Sequence, residues 1–218
     1  MYFSGGLFNM LKNLIIIVVS YLIGSIPWAL VIGKLFYKKD IRQYGSGNLG
    51  ASNAGRVLGK PAAIAVTVLD GLKALIAMTI AWKFSPEMIP YAGLVCCLGH
   101  CFPIFAQFKG GKAVATTYGY FLGLAIFVNQ QWFWQFLVPV IAFFVILYIC
   151  RMVSLSSMSA VGLEVLASAF IIRNPIHITI CQLLLWMFIV YRHRSNIERI
   201  RSGTESKISW MGKPHGKN

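Results

Sequence analysis

The sequence predicts an all-α, polytopic membrane protein of about seven transmembrane helices, with the N-terminus outside and the C-terminus in the cytoplasm. Three observations carry this expectation. Of the 218 residues, 57% are hydrophobic and only 12% charged, with a mean hydropathy of +0.69, whereas a soluble domain carries about 25% charged residues. Seven apolar stretches reach or approach the roughly 17 to 25 residues that a helix needs to cross a bilayer. Lys and Arg fall almost entirely on alternate connections between those stretches, which is the positive-inside bias.

Taken in order, the first stretch covers 14–37. Its apolar run continues without a small-residue cleavage site, so it reads as a span and not as a cleavable signal. The others cover 61–82, 87–105, 113–129, 132–150, 153–172 and 175–191. The fourth and seventh are at the short end. Turns between them are marked by "KFSPE", "NQQ", Arg151 and "RNP". Neither a linker nor an internal repeat is visible, and the whole chain, 1–218, reads as a single integral membrane domain.

Net charge is +14, from 20 Lys and Arg against 6 Asp and Glu. Such an excess would suit a nucleic-acid binder, but in so apolar a chain basic residues held on the cytoplasmic side are the commoner cause. No nucleic-acid partner is expected. With the N-terminus outside, seven alternating spans put Lys34, Lys38, Lys39, Arg42, Arg56, Lys60, Lys109, Lys112 and Arg151 inside. The tail adds Arg192, Arg194, Arg199, Arg201, Lys207, Lys213 and Lys217. Only Lys12, Lys83 and Arg173 fall outside, and Lys73 lies within a span, a 16-to-3 split. Anionic lipid headgroups and anionic substrates would be drawn to that inner face. The expected location is the cell inner membrane, with the functional face toward the cytoplasm.

Three polar segments fall on that face. Residues 45–56, "GSGNLGASNAGR", are too polar to span a bilayer and too rich in donors for a plain connector. Gly45 and Gly47 can turn successive backbone N–H groups into a concavity for phosphate. Ser46, Asn48, Ser52 and Asn53 add side-chain donors, and Arg56 a permanently charged planar fork. Residues 108–116, "FKGGKAVAT", place Gly110, Gly111 and Lys112 at the start of a span, where helix N–H groups and a Lys attract an anion. This is not a Walker A loop, since G-x-x-x-x-G-K-[ST] is absent. Residues 193–207, "HRSNIERIRSGTESK", put His193 and Asn196 on one face if the last helix continues. Glu198 lies five residues after His193, a His-x4-acid spacing that is only superficial and is discounted.

Within the spans, Asp70 and Lys73 are spaced i, i+3 and can pair; such a pair is costly in a bilayer, and a structural or supporting role is expected for it. Glu164 has no evident partner in the sequence. "CLGHC" lacks a second metal-type half, so Cys96, Cys97 and Cys101, with Cys150 and Cys181, read as small buried hydrophobes. No metal or cofactor is expected. The tryptophans at span ends fit interface belts.

At these segments the sequence resembles a known family, the bacterial acyl-phosphate:glycerol-3-phosphate acyltransferases, integral membrane enzymes that begin phosphatidic acid synthesis. The motifs "GSGNLGASNAGR", "GHCFPIFAQFKGGKAVAT" and "HRSNIERIRSGTESK" occur in family order over nearly the whole chain, and "LDGLKA" and "RMVSLSS" resemble two lesser signatures. The resemblance implies transfer of an acyl group from acyl phosphate to glycerol 3-phosphate, giving 1-acylglycerol 3-phosphate and phosphate. It implies site residues Ser46, Asn48 and Arg56 in the first loop, Gly110, Gly111 and Lys112 in the second, and His193, Asn196 and Glu205 in the third. Ser46, Arg56, Lys112, His193 and Asn196 are the expected catalytic set. Gly45, Gly47, Asn48, Ser52, Asn53, Gly110 and Gly111 are expected to bind phosphate, with Asp70, Lys73 and Glu205 in support. Departures are Ser52 for the usual Thr, which keeps the hydroxyl, Ser195 for a common Glu, and Ala74 for a Gly.

Both substrates carry phosphates, and Arg56 and Lys112 can offset the repulsion between them. The base that accepts the glycerol hydroxyl proton is open between His193 and a substrate phosphate. A transporter of anionic phosphorylated solutes would also want basic loops, but such proteins show repeats and interrupted spans in both halves. A membrane scaffold would leave the two glycine loops unexplained. The sequence sets no oligomeric state and leaves a monomer open.

Overall fold

A computed structural model of the chain describes residues 3–209, and side chains from Gly6 onward; Lys213 and Lys217 of the charge tally lie outside the described residues. Among the described residues there is helix and turn and no strand. The helices are α1 (Phe3–Gly24), α2 (Trp28–Phe36), α3 (Ala51–Val57), α4 (Lys60–Phe84), α5 (Ile89–Cys101), α6 (Val114–Asn129), α7 (Phe133–Cys150), α8 (Val153–Ile172), α9 (Ile176–Arg192) and α10 (Arg194–Arg201). Five apolar segments are long enough to cross a membrane: Gly6–Gly24, Lys60–Phe84, Pro86–Ala106, Phe133–Cys150 and Val153–Ile172. Helix α9 reaches that length only together with α10, at a bend of 58°, and α6 is apolar but shorter.

The first expected span, 14–37, is not one helix. Helix α1 ends at Gly24, residues 25–27 leave the helix, and α2 starts at Trp28. Pro27 explains the break, because proline disfavours helical backbone in the residue before it and has no N–H to donate. Helix α1 instead extends back to Phe3.

Contacts divide the chain into two compact units, residues 1–130 and 131–218. In the first, α4 packs against α1, α3, α5 and α6, and α1 against α5. The helices approach to backbone contact at glycines. A Cβ on Gly24 would lie 2.1 Å from the Cys96 carbonyl oxygen, and one on Gly99 2.4 Å from that of Tyr21. Between membrane helices, where lipid tails are as apolar as the partner helix, such close packing is a main source of attraction. Helices α2 and α3, with the turn at Ile41–Gln43 between them, sit on the start of α4 through Ala29, Leu30, Ile41, Leu49, Ala54 and Val66. That small core fixes where the 45–56 loop stands.

In the second unit, α8 packs against α7 and α9. Helix α7 leaves Ile141, Phe144, Tyr148 and Ile149 exposed, an apolar face suited to lipid and not to water. The interior holds Glu164 from α8, whose Oε1 accepts from the side-chain amides of Gln135 and Gln182, the latter at 3.0 Å. Asn174 extends the network by donating to Gln135 and to Ser168. Two amides therefore converge on one oxygen of the acid that had no partner in the sequence. Cys96, Cys97, Cys101 and Cys181 are buried free thiols and Cys150 is half-buried.

Candidate functional site

The 45–56 loop is built around one buried side chain, Asn53. Its Oδ1 accepts the Ser46 backbone N–H at 2.9 Å, and its Nδ2 donates to the carbonyls of Ile41 at 3.3 Å and Tyr44 at 3.2 Å. Gly45 (φ +61°) and Gly47 (φ +67°) take left-handed backbone that only glycine adopts freely. A Cβ on Gly45 would stand 2.3 Å from Asn53 Oδ1. The Gly47 N–H donates to the Tyr44 carbonyl at 3.0 Å. The expectation that Asn53 and these successive N–H groups point at an anion is thus replaced by another use: they wind the loop on itself.

The loop turns other groups outward. Ser46, Ser52 and Arg56 are exposed and Asn48 is half-buried. Nearby cations are already matched. Asp40 caps the turn at Ile41–Gln43, pairs with Arg42 at 2.6 Å and lies 3.6 Å from Lys34. The hydrogen bonds from the Arg42 side chain hold the Asp40 carboxyl well below the ordinary carboxylate range. Arg56, near the end of α3, makes neither ion pair nor hydrogen bond among the described residues. It is a fixed cation on a self-braced loop.

The second loop departs from its expected form as well. The N–H of Gly110 donates to the Cys101 carbonyl at 3.2 Å and that of Gly111 to the His100 carbonyl at 3.1 Å. Helix α6 starts at Val114, after a left-handed Ala113 (φ +58°), and Gln107 and Phe108 are left-handed too. Non-glycine residues in that region are strained, and such strain gathers at functional sites. Gly111 lies directly on the His100 ring, where a Cβ would be 2.1 Å from Nε2. Lys112, half-buried, follows.

Beneath this loop, Asp70 and Lys73 of α4 form the predicted pair, at 3.0 Å and each 2% exposed. His100 joins them: its Nδ1 is 2.8 Å from Lys73 Nζ and 3.4 Å from Asp70 Oδ1. Sequence reasoning missed His100 as a member. A histidine inside an apolar span was the available signal, and it was read only within "CLGHC" and the motif that begins "GHCFP", with no role of its own.

In the second unit, α9 ends at Arg192 and the chain bends at His193 into α10. The last helix does not continue straight, so His193 and Asn196 meet through a turn, with the Asn196 N–H donating to the His193 carbonyl at 2.8 Å. His193 is buried, and its Nδ1 lies 2.8 Å from the Ile189 carbonyl oxygen. That contact puts the proton of the neutral ring on Nδ1 and the lone pair on Nε2.

Asn196 Nδ2 donates to Glu205 Oε1 at 2.7 Å, as does Ser154 Oγ at 2.6 Å, while Arg199 Nε donates to Oε2 at 2.8 Å. Burial would raise the Glu205 carboxyl, but the bonds from Ser154, Asn196 and Arg199 outweigh it and hold it below the usual glutamate range. Farther along, Ile208 and Arg151 exchange backbone and side-chain bonds, with Ile208 N–H to the Arg151 carbonyl at 2.8 Å and Arg151 Nη2 to the Ile208 carbonyl at 2.6 Å. Glu205 therefore clamps the tail against the start of α8. A carboxylate lowered on folding stabilises above its unfolded value and loses that contribution as pH falls through the lowered one. Glu205→Ala is expected to cost about 1–3 kcal/mol and to make residues 202–209 protease-sensitive at pH 7. The parent should show that sensitivity only when acidified below the ordinary glutamate range. Limited proteolysis across pH checks both.

A family model described as glycerol-3-phosphate acyltransferase matches residues 14–203. The glycerol-3-phosphate acyltransferase of Geobacillus kaustophilus is 44% identical over 200 residues, which span 91% of this chain and 98% of that one. That of Bacillus subtilis is 44% identical over 198 residues, spanning 90% and 98%. Among solved structures, PlsY, an integral membrane glycerol 3-phosphate acyltransferase, in its glycerol 3-phosphate form superposes with a TM-score of 0.82 at 35% identity, covering 90% of this chain and 96% of that one. Its lysophosphatidic acid form gives 0.80 at 34%, covering 90% and 95%.

Proposed function

The chain belongs to the glycerol-3-phosphate acyltransferase family, and from that premise we propose that it acylates glycerol 3-phosphate with acyl phosphate as donor, on the cytoplasmic side of the inner membrane. It is an integral membrane enzyme of phospholipid synthesis. A single acyltransferase domain is proposed because the family match runs through both compact units. Seven spans, with α6 and α9 as the two short ones, suit the 16-to-3 division of basic residues.

The observation that carries the reading is Arg56: exposed, without a partner among the described residues, and set on a loop that Asn53 holds in shape. A guanidinium so placed is ready for a phosphate, which it grips with two parallel N–H donors. Ser46, Ser52 and Asn48 add neutral donors beside it. Lys112 would serve the second phosphate, so the two anions can approach without full mutual repulsion. The glycerol hydroxyl oxygen then attacks the acyl carbonyl carbon, the bond from that carbon to the phosphate oxygen breaks, and phosphate leaves with the electron pair. Phosphate is a good leaving group, so the chemistry is largely a matter of holding reactants in register.

The hydroxyl proton goes to His193 Nε2 or to a substrate phosphate. If His193 is the base, His193→Gln lowers kcat by about 100-fold or more when assayed across pH 6 to 8. Near-parental rates across that range leave the proton to phosphate. The activity itself is tested by giving purified protein acyl phosphate and glycerol 3-phosphate. Release of phosphate with equimolar lysophosphatidic acid supports the reading. Turnover only with acyl-CoA or acyl-carrier protein would overturn the donor assignment, and no turnover with any donor would overturn the site.

A further inference from the structure

Lys73 has three N–H donors and three acceptors in reach. Its Nζ lies 3.2 Å from the Ile26 carbonyl oxygen, 2.8 Å from His100 Nδ1 and 3.0 Å from Asp70 Oδ1. The Ile26 carbonyl belongs to the break between α1 and α2, where Pro27 interrupts the helical ladder. An imidazole that receives an ammonium donor at Nδ1 is neutral and carries its own proton on Nε2. The charges agree: with His100 neutral, Asp70 and Lys73 sum to zero, whereas a protonated His100 would leave net charge in an apolar interior.

Nε2 is the ring atom closest to Gly111, 2.1 Å from where a Cβ would stand. Residues 110 and 111 are clipped to the end of α5 by two backbone bonds. The loop needs a brace, because Gln107, Phe108 and Ala113 all hold left-handed backbone, a conformation unfavourable for residues with a Cβ.

We propose that Asp70, Lys73 and His100 are a buried positioning triad that presents the Nε2–H face of His100 to Gly111, and so sets the 107–113 loop in the conformation from which Lys112 meets a substrate phosphate. This rests on reading Lys112 as phosphate-binding, with Gly110 and Gly111 shaping the loop that carries it. The triad touches neither substrate; it acts through the loop. It also ties the loop to the α1–α2 break by the same ammonium.

The test is a double-mutant cycle on the full-length protein in detergent or nanodiscs, with kcat, KM for both substrates and the melting temperature measured. Lys73→Met alone would strand the Asp70 charge, so the variant lacking the triad is Asp70→Asn with Lys73→Met, which is uncharged. It is expected to lose about tenfold or more in kcat/KM. Combined with Lys112→Ala, it should be no worse than Lys112→Ala alone within about threefold, because residues acting through one group are not additive. Losses that multiply would overturn the triad as a device acting on Lys112.

A second comparison removes dependence on that lysine. His100→Gln keeps an amide N–H near the position of Nε2, and His100→Phe keeps only the shape. At equal melting temperature, His100→Gln should retain at least tenfold more activity, and equal activities would overturn the proposal. If Lys112→Ala itself keeps parental kcat/KM, the phosphate role of the loop is what has failed, and the His100 pair alone decides the triad.

Discussion

Arg56→Lys is expected to lower kcat/KM for glycerol 3-phosphate acylation by about 30- to 100-fold, with the melting temperature unchanged. The charge survives this substitution, but the planar fork does not. A lysine offers a point charge where the guanidinium offers two parallel donors, and losing a charge-assisted hydrogen bond is worth about 1.5–3 kcal/mol. The fold should not respond, since Arg56 is exposed and holds nothing else in place among the described residues, while Asn53 shapes the loop without it. Arg42→Lys is the internal comparison: that side chain is committed to Asp40 in a half-buried ion pair, and its replacement should change kcat/KM by less than about threefold because the charge that Asp40 needs is kept. Steady-state rates for both variants against the parent decide it. Equal rates for Arg56→Lys and parent would remove Arg56 from the site.

Gly111→Ala should be the more damaging change, with activity reduced by about 100-fold or more and a melting temperature several degrees lower. A single methyl would sit 2.1 Å from His100 Nε2 and 2.9 Å from Cε1. The ring cannot step aside, because Nδ1 is held at 2.8 Å by Lys73. Either the loop lifts, breaking the Gly111 N–H bond to the His100 carbonyl, or the buried charges separate. Overpacking costs about 1–3 kcal/mol, and a shift of about 1 Å at a positioning group can cost 100-fold in rate. Gly6→Ala, where a Cβ meets nothing within 4 Å, is the control. Assay and thermal unfolding of the two variants together check this; parental activity in Gly111→Ala would mean that the loop works in another conformation.

The all-helical, apolar character was legible because a bilayer forces length and apolarity on any helix that crosses it. The break at 25–27 was not, since Pro27 sits in a run apolar enough to hide it from a pattern based on hydropathy. The loops were legible as loops. Their glycines and donors gave no sign of which N–H groups serve a ligand and which serve the chain, and Asn53, Gly110 and Gly111 serve the chain in the described geometry. Periodicity reveals neighbours on one helix, as with Asp70 and Lys73, and it cannot reveal partners brought together by packing. Thus His100, 27 residues beyond Lys73, and Gln135 and Gln182, 29 and 18 residues from Glu164, came into view only with the fold.

Because Asp70 and Lys73 stand 3.0 Å apart on one helix, α4 reaches the translocon during synthesis with its two charges already matched. Each alone would oppose insertion by about 2.5–3.5 kcal/mol at the helix centre. His100 arrives later, with α5, across the short connection at 85–88. For this pair biogenesis can therefore proceed helix by helix, with the imidazole added to a neutral dipole already in the lipid, and neither charge waits in the bilayer for its counter-ion to be translated.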